Sequence, residues 1–432
     1  MNRGVYTLAL RALAPLLWLW MARRAKRAGG QWDVFSRERF GHLPDPAASA
    51  TPPASEFEGV APVWVHAVSL GETRAAQPLL QALLDRGLPV LLTHMTATGR
   101  AEGQRLFADA IARGQLRQVW LPYDFPGATR RFMLGHQPRC GLLIEREIWP
   151  NLLAAARRAR VPMALLSARY SESSLRQARR MGSVMREALA GLDQVLAQTS
   201  EDAGRLAQAG APTPVVTGNL KFDLMLPATQ VQAGRDWRAR LGRPVIAIAS
   251  TREGEDAPFI DAIKRHQGQP GAPLFILIPR HPQRFDEAAQ MLADAGLPFV
   301  RRSSGAGPDP QTAVLLGDTL GEMAFYYAAA DVAIVAGSFA PLGGQNLIEA
   351  CAAGVPVVVG PHTFNFKQAA EDAMAAGAAL READPAQAVD AALAWLRDEG
   401  SRASASRAAR AWFELHAGAT RRTMEALAPW LG

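Results

Sequence analysis

Residues 63–72 read VWVHAVSLGE, an apolar β-branched run that changes abruptly into a polar loop. The run Val63–Val68 has the length and composition of a buried strand, and Ser69-Leu70-Gly71-Glu72 follows where a helix begins. Six further apolar runs share this arrangement: Val90–His94, Gln118–Leu121, Gly141–Ile144, Met163–Ser167, Gln194–Gln198 and Val215–Thr217. Continuous apolar strands that alternate with helices predict a parallel sheet covered by helices on both faces.

A second series of such strands begins after residues 227–243. Its members are Val245–Ala249, Leu274–Ile278, Ala313–Leu316, Val332–Val335 and Val355–Val359. We therefore predict an α/β protein with two consecutive doubly wound, Rossmann-like domains whose polar loops face a central cleft. The predicted segments are a membrane anchor at 1–30, a first domain at 31–230, and a second domain with a helical tail at 231–432. Prolines among small polar residues at 43–62 predict a linker.

Positive charge is concentrated at the N-terminus. The chain has 432 residues and a formal net charge of +7, and six cations precede its first acidic residue: Arg3, Arg11, Arg23, Arg24, Lys26 and Arg27. The remaining body is nearly neutral, so we expect no nucleic-acid partner. Residues 5–21 are apolar apart from Thr7 and Arg11, and most of the cations follow them. This order is typical of an uncleaved anchor with a cytoplasmic flank, although a first helix packed on the body is the alternative.

The cysteine count and the spacing of acidic residues exclude several kinds of site. Cys140 and Cys351 are isolated, so there is no disulfide framework and no CxxC motif, and a reducing cytoplasm is the simple interpretation. The sequence has neither a D-x-D pair nor a His/Cys cluster at metal-ligand spacing. We therefore expect no metal and no cofactor.

Polar residues follow three strands of the first domain. The Ser-x-x-Glu spacing at 69–72 is that of a capping box, in which Glu72 satisfies a backbone N–H. Glu72 is alternatively a general base that projects into the cleft, but the spacing by itself favours the cap. Lys221, after the seventh strand, either meets a sugar carboxylate or phosphate or is solvated.

Glu145 and Glu147 flank Arg146 after the fourth strand. Two carboxylates at a strand end indicate a ligand site, and the alternative is an ion pair between one of them and Arg146.

Three loops of the second domain also follow strands. Gly343–Glu349 opens a helix, where glycines let the backbone approach a phosphate and Glu349 reaches ribose hydroxyls, unless the glycines serve packing alone. Arg280 and His281, between two prolines, are placed to contact a phosphate or base, or are structural. Residues 317–323 offer backbone N–H groups at Leu320 and Gly321 to an anion, and the alternative is that Asp318 or Thr319 only caps the helix.

Six of these features occur in one order along nearly the whole chain. Besides the N-terminal anchor they are Arg37–Gly41, Ser69–Glu72, Glu145–Asn151, Gly218–Asp223, Pro279–Pro282 and Gly344–Glu349. Together they closely resemble the 3-deoxy-D-manno-octulosonic acid (Kdo) transferases, glycosyltransferase family 30, of lipopolysaccharide biosynthesis. One departure is that the family often has His-Asn-Pro-Leu-Glu where this chain has residues 345–349, QNLIE.

The resemblance implies an inverting, metal-independent GT-B glycosyltransferase that moves Kdo from CMP-Kdo to the lipid A precursor lipid IVA. It implies a location at the cytoplasmic side of the inner membrane. It also implies that Glu72 is the general base and that Glu145 and Lys221 support the transition state. The residues at its CMP-binding positions are Arg280, His281, Leu320, Gly321, Glu322, Asn346, Leu347, Ile348 and Glu349.

Two other functions remain open at this point. One is another GT-B enzyme, such as a UDP-sugar transferase or a nucleotide-sugar epimerase, which competition between CMP and UDP would separate. The other is a non-catalytic nucleotide-sugar binding module tethered to the membrane. The joint presence of Glu72, Glu145 and Lys221 argues against the binding module.

Overall fold

The computed structural model describes residues 1–27, 32–43, 57, 59–224, 226–268 and 271–432. They form two compact units, Met1–Leu224 with Ala417–Gly432, and Met225–His416. Each unit contains one seven-stranded sheet in which the paired strands are parallel. The prediction of two doubly wound α/β domains is therefore confirmed. Most of the predicted linker at 43–62 lies outside the described residues.

The fourteen described strands divide evenly between the units. The first unit contains β1 (Val63–His66), β2 (Val90–His94), β3 (Leu116–Trp120), β4 (Cys140–Ile144), β5 (Met163–Ala168), β6 (Gln194–Ala197) and β7 (Val215–Val216). The second contains β8 (Val245–Thr251), β9 (Leu274–Pro279), β10 (Phe299–Arg301), β11 (Val314–Leu316), β12 (Val332–Val335), β13 (Val357–Val359) and β14 (Ala379–Arg381). The edge strands β10 and β14 were not predicted, because three residues that include an arginine carry little apolar pattern.

Helices connect these strands and cover both faces of each sheet. Those from the N-terminus to residue 209 are α1 (Arg3–Arg27), α2 (Leu70–Asp85), α3 (Ala97–Leu106), α4 (Ala108–Ala112), α5 (Pro126–His136), α6 (Pro150–Ala159), α7 (Glu172–Met181), α8 (Ser183–Leu189) and α9 (Ser200–Ala209). Those that follow are α10 (Ala228–Leu241), α11 (Asp256–Lys264), α12 (Phe285–Asp294), α13 (Met323–Ala329), α14 (Ile348–Ala352), α15 (Lys367–Ala375), α16 (Pro385–Arg397), α17 (Glu399–His416) and α18 (Ala419–Leu431).

The strand order places a switch point in each sheet. The first sheet runs β3-β2-β1-β4-β5-β6-β7 and the second runs β10-β11-β9-β8-β12-β13-β14. The chain therefore changes direction between β1 and β4 in one sheet and between β8 and β12 in the other. Ligands of doubly wound sheets bind beyond the carboxyl ends of the strands at such a point. Glu72 follows β1 and Glu145 follows β4, so both lie at the first switch point.

The last helix belongs to the first unit, which differs from the predicted second domain of residues 231–432. Met424 and Leu427 of α18 pack in the same apolar core as Leu79 and Leu83 of α2. The Asp223 carboxylate also accepts backbone N–H bonds at the start of α18. Burial of this apolar face and the satisfied helix start tie the C-terminus to the first sheet.

Helix α1 packs one face on the first unit and exposes the other. Tyr6 donates a hydrogen bond to Asp124 at 2.9 Å, and the Trp18 ring lies 5.7 Å from those of Phe40 and Tyr123. The opposite face exposes apolar side chains, among them Leu8 at 69%. Residues Arg3–Arg23 are also long and apolar enough to cross a membrane. Both sequence hypotheses for this segment are thus partly met, since it packs on the body and presents an apolar face.

Candidate functional site

Glu72 lies in the first turn of α2 and accepts a hydrogen bond from the Val68 N–H at 2.6 Å through Oε2. Ser69 occupies the N-cap with an extended backbone, but its side chain makes no capping hydrogen bond. The predicted capping box is therefore wrong for the serine, and Glu72 reaches one residue beyond the N-cap. The Oε1 atom of Glu72 accepts no hydrogen bond from the part of the chain that the structure describes.

Glu145 and Lys221 form a close ion pair. The Lys221 Nζ atom lies 2.6 Å from Glu145 Oε1, and the Glu145 side chain is only 11% exposed. Glu145 adopts a left-handed backbone (φ 62°) directly after β4, a conformation that costs a non-glycine residue energy and often occurs at functional sites. The backbone N–H of Lys221 is held by Asn219 Oδ1 at 3.0 Å. The interpretation of Lys221 as a solvated lysine is therefore wrong.

Glu147 lies next to two aromatic side chains. The Trp149 indole donates to Glu147 Oε2 at 2.8 Å, and His66 Nε2 lies 3.7 Å from the same oxygen. Arg146 is exposed and forms no ion pair with either glutamate in the described residues, so the alternative of an ion pair with Arg146 is wrong. His66 is fully buried in β1 and was missed by sequence reasoning. A histidine inside an otherwise apolar strand was the available signal.

The electrostatics of this cluster make Glu72 an unusual carboxyl group. Burial raises its pKa, the charges of Glu145 and Glu147 raise it further, and the Val68 N–H and Lys221 lower it, with a result of about 8. A carboxylate with such a pKa is a much stronger base than an exposed glutamate once it is ionised. The group is therefore mostly protonated at pH 7, and its ionised fraction grows as the pH rises through about 8.

In the second unit, Arg280 and His281 follow β9 directly. The Arg280 N–H donates to the Thr251 carbonyl at 2.9 Å, which attaches this loop to the end of the neighbouring strand β8. Burial, followed by the charges of Arg252 and Arg280, lowers the pKa of His281. Burial raises the pKa of the Tyr327 phenol, the charge of Glu349 raises it further, and the charge of Arg280 lowers it.

Leu320, Gly321 and Glu322 form the turn before α13. Leu320 is 70% exposed, Gly321 has φ 82°, and the Glu322 carboxylate pairs with Arg302 at 2.8 Å. The turn presents backbone and an apolar side chain to the outside. It precedes a helix of only seven residues, so its dipole contributes less than the sequence suggested.

The loop at 343–349 is shaped by glycine and by one asparagine. Gly343 has φ 93°, and a Cβ there would lie 2.4 Å from Asn365 Nδ2. Asn346 accepts the Ile348 N–H at 3.1 Å and donates to Glu349 at 3.0 Å. The side chains of Leu347 and Ile348 are buried, so they offer a ligand only their backbone.

A buried carboxylate that sequence reasoning missed organises the same region. Glu255 is 1% exposed, and its oxygens accept four backbone N–H groups. These belong to Arg252 at 2.8 Å, Gly337 at 2.7 Å, Phe339 at 2.9 Å and Ala340 at 3.2 Å. Glu255 therefore fixes the loop after β12 at the switch point of the second sheet. In the sequence Glu255 stands close to two other acidic residues, Glu253 and Asp256, so nothing singles it out as a buried carboxylate.

No group of three or more His, Cys, Asp and Glu side chains in the described residues is arranged to hold a metal ion. The predicted site residues fall into two groups. Glu72, Glu145 and Lys221 meet at the first switch point, and the remaining nine lie on the loops after β9, β11 and β12.

Comparison with known proteins places the chain in a family. The family profile described as "3-Deoxy-D-manno-octulosonic-acid transferase (kdotransferase)" matches residues 36–224, and "Glycosyl transferases group 1" matches residues 300–412. The 3-deoxy-D-manno-octulosonic acid transferase of Bordetella pertussis is 68% identical over 436 residues, with 100% of both chains covered. That of Haemophilus influenzae is 30% identical over 403 residues, with 91% of each chain covered.

Solved structures of low identity share the fold. A putative UDP-N-acetylglucosamine 2-epimerase from Listeria monocytogenes matches with a TM-score of 0.55 at 13% identity, covering 86% of this chain and 96% of that chain. The UDP-GlcNAc 2-epimerase from Neisseria meningitidis matches with a TM-score of 0.53 at 14% identity, covering 85% and 99%. At this low sequence identity, these similarities show a shared fold and no more. With the full-length match at 68% identity, the chain belongs to the 3-deoxy-D-manno-octulosonic acid transferases, a family of glycosyltransferases.

Proposed function

We propose that this glycosyltransferase moves Kdo from CMP-Kdo to a hydroxyl group of lipid IVA, with inversion at the anomeric carbon. The observation that carries the proposal is the Glu72 carboxyl group, whose pKa is raised to about 8 beside the Glu145–Lys221 pair at a sheet switch point. A base of this kind is what activation of a sugar hydroxyl requires near neutral pH.

In the proposed transfer, the acceptor oxygen attacks the anomeric carbon of Kdo. The new carbon–oxygen bond forms as the bond to the CMP phosphate breaks, and the electron pair leaves with CMP. Glu72 takes the proton of the acceptor hydroxyl through its Oε1 atom. Lys221 and Glu145, 2.6 Å apart, act as one rigid pair that supports the charge of the transition state.

We assign donor binding to the second unit. Arg280 would neutralise the CMP phosphate, and His281, whose lowered pKa keeps it neutral, would contribute a hydrogen bond. Glu349, held by Asn346, would accept bonds from the ribose hydroxyls. Leu320, Gly321, Glu322, Leu347 and Ile348 would line the nucleotide through backbone and van der Waals contacts. We propose that arginine supplies the positive charge at the phosphate and that no cofactor or metal is needed.

The lipid acceptor requires access to a membrane, and we assign this contact to α1. Its outward face carries Leu8, Leu13, Leu16 and Leu19, each more than half exposed. The inward face is held by Tyr6 and Trp18. An apolar helix fixed along a folded body is suited to lie in the interface of the cytoplasmic leaflet of the inner membrane.

The direct test is incubation of the full chain with CMP-Kdo and lipid IVA, followed by mass spectrometry of the lipid. We expect a mass increase by one or more Kdo units in the wild type and none in Glu72→Gln, with CMP affinity retained in both. Glu172→Gln, on the exposed surface of α7, is the matched control and should retain transfer. Transfer by Glu72→Gln at the wild-type rate would refute the assigned base. Tighter binding of UDP than CMP would favour the alternative donor class.

A further inference from the structure

A cavity in the first unit takes no part in the transfer described above. It lies between the first turn of α1, one face of α6 and the helix α8, and its volume is about 530 Å³. Three cations line it, Arg3 on α1 and Arg157 and Arg158 on α6, together with one acid, Glu187 on α8. Three positive charges against one negative charge leave an excess of two positive charges at this cavity.

These charged side chains have no other partner. None of the four forms an ion pair or a side-chain hydrogen bond with a residue that the structure describes. Arg157 and Arg158 stand in the last turn of α6, where the helix dipole by itself favours a cation. Arg3 stands in the first turn of α1, where the dipole disfavours a cation and no acidic residue compensates it. The helix dipoles therefore explain the two arginines of α6 but not Arg3.

The start of α1 is fixed against the body, so the backbone of Arg3 is held beside the cavity. The Val184 N–H, at the start of α8, donates to the Met1 carbonyl at 3.0 Å. One turn after Arg3, the Thr7 hydroxyl lies 3.2 Å from Asn151 Oδ1 on α6. These contacts join α1 to both of the other helices that form the cavity. The three arginines are therefore brought together before any ligand binds.

The rest of the cavity wall is largely apolar. Pro150 and Leu153 of α6 line it together with Val184 and Ala188 of α8, and all four side chains are buried. A guanidinium group binds a phosphate bidentately, and apolar side chains gain from contact with glycerol and acyl carbons. Cations next to an apolar wall thus match an amphiphile that carries a phosphate.

The position of the cations favours a lipid of the membrane over a ligand of the catalytic cluster. Pro150 begins α6 just after the strand end that carries Glu145. Arg157 lies seven residues further on, about 10 Å along the helix at about 1.5 Å per residue. Arg3 in turn belongs to the helix whose exposed Leu8 follows within two turns. The cations therefore lie away from the catalytic cluster and on the helix that we assign to the membrane.

We propose that this cavity binds the phosphate headgroup of an anionic phospholipid through Arg3, Arg157 and Arg158. The inference goes beyond Kdo transfer, but it rests on the proposed membrane contact of α1. A headgroup bound here fixes the start of α1 at the level of the lipid phosphates. It thereby sets how the first unit stands on the leaflet.

The test compares binding of the full chain to vesicles of pure phosphatidylglycerol and of pure phosphatidylcholine, measured by sedimentation. Both lipids carry a phosphate, but only the first is anionic, so the wild type should prefer it. Arg157→Gln/Arg158→Gln should lower the preference by about tenfold. Arg176→Gln/Arg180→Gln removes the same charge from exposed positions of α7 that do not line the cavity, and it should change the preference by less than about twofold.

A second pair of variants separates a shaped site from a diffuse effect of charge. Ala154→Phe places a ring in the cavity and leaves the charge unchanged, so the preference should fall as it does in the arginine variant. Ala159→Phe places the same ring on an exposed position of α6 outside the cavity, and it should keep the wild-type preference. If Ala154→Phe does not fold, the double variant of the exposed Arg157 and Arg158 carries the test.

Several outcomes overturn the inference in distinguishable ways. An equal loss in the two double arginine variants, with Ala154→Phe unchanged, shows that charge acts diffusely. An intact lipid preference in Arg157→Gln/Arg158→Gln, with a raised KM for lipid IVA in nonionic detergent micelles, assigns these arginines to the acceptor. If the wild type binds both vesicles equally, the inference alone falls, whereas binding to neither removes the membrane contact of α1 as well. The vesicle assay needs no Kdo transfer, so failure of the proposed activity leaves its result unaffected.

Discussion

Replacing Glu255 by alanine removes the carboxylate that holds the loop after β12. The side chain is 1% exposed and accepts four backbone N–H groups between 2.7 and 3.2 Å. Three of these groups belong to the loop at 337–340, which leads into the glycines at 343 and 344. Alanine would leave all four donors without their acceptor.

The expected cost follows from those four donors. A buried N–H that loses its partner costs about 1–3 kcal/mol, and water entering the vacated space restores part of it. Taking about 1 kcal/mol for each donor, Glu255→Ala should destabilise this region by about 4 kcal/mol. That is a large share of the unfolding free energy of a whole domain, which is typically about 5–15 kcal/mol. Glu255→Gln keeps one carbonyl oxygen and should lose about half as much.

Hydrogen exchange of the Phe339 and Ala340 amides measures this effect locally. At about 1.4 kcal/mol per decade, protection should fall roughly a thousandfold in Glu255→Ala. Calorimetric titration with CMP should show affinity weakened by about tenfold, because the ordered loop must form on binding. The control is Glu253→Ala, whose side chain is 60% exposed and pairs with Arg252 at the surface. A loss of protection below about tenfold in Glu255→Ala would refute the reasoning.

Three further predictions concern the first unit. Glu72→Gln should stabilise the protein relative to the wild type as pH rises from about 4.5 to 8, because the native carboxyl, with its raised pKa, holds a proton that the unfolded chain releases. The difference in unfolding free energy, measured by urea unfolding, should reach on the order of 4 kcal/mol at pH 8 and vanish below pH 4. Lys221→Met should lower kcat at least about a hundredfold and move the acid limb of kcat/KM to higher pH, since the charge of Lys221 lowers the pKa of Glu72. The double variant Leu8→Glu/Leu16→Glu should weaken binding to anionic vesicles at least about a hundredfold in a sedimentation assay. The control Leu415→Glu replaces an apolar side chain of the second unit that is 79% exposed, and it should bind as the wild type does. Equal binding by the two variants would exclude α1 as the membrane contact.

Much of the fold was readable from local patterns. Buried parallel strands are continuous apolar runs, and all five runs predicted after residue 243 overlap observed strands. Strands β10 and β14 were not predicted, because edge strands of three residues bury few apolar side chains. The assignment of the C-terminal helix to the second domain failed for a different reason. The apolar stripe of α18 predicts that one face of the helix is buried, but it does not indicate which sheet that face covers.

The candidate site was likewise predictable in part from the sequence. Glu72, Glu145 and Lys221 were predicted as individual strand-end residues, and the ordered motifs of the family assigned their roles. His66 and Glu255 were missed, because each matters through partners that are distant in sequence. His66 reaches Thr93 and Glu147, and Glu255 reaches a loop more than eighty residues away.

The sequence by itself determined two doubly wound α/β domains, an apolar N-terminal helix and membership of a Kdo transferase family, because strand periodicity and motif order are local properties of the chain. Only the tertiary structure decided that Lys221 neutralises Glu145, that Glu147 faces His66, and that α18 returns to the first sheet. Electrostatic effects depend on distance and burial in space. The pKa of Glu72 is therefore a property of the folded unit that no spacing along the chain encodes.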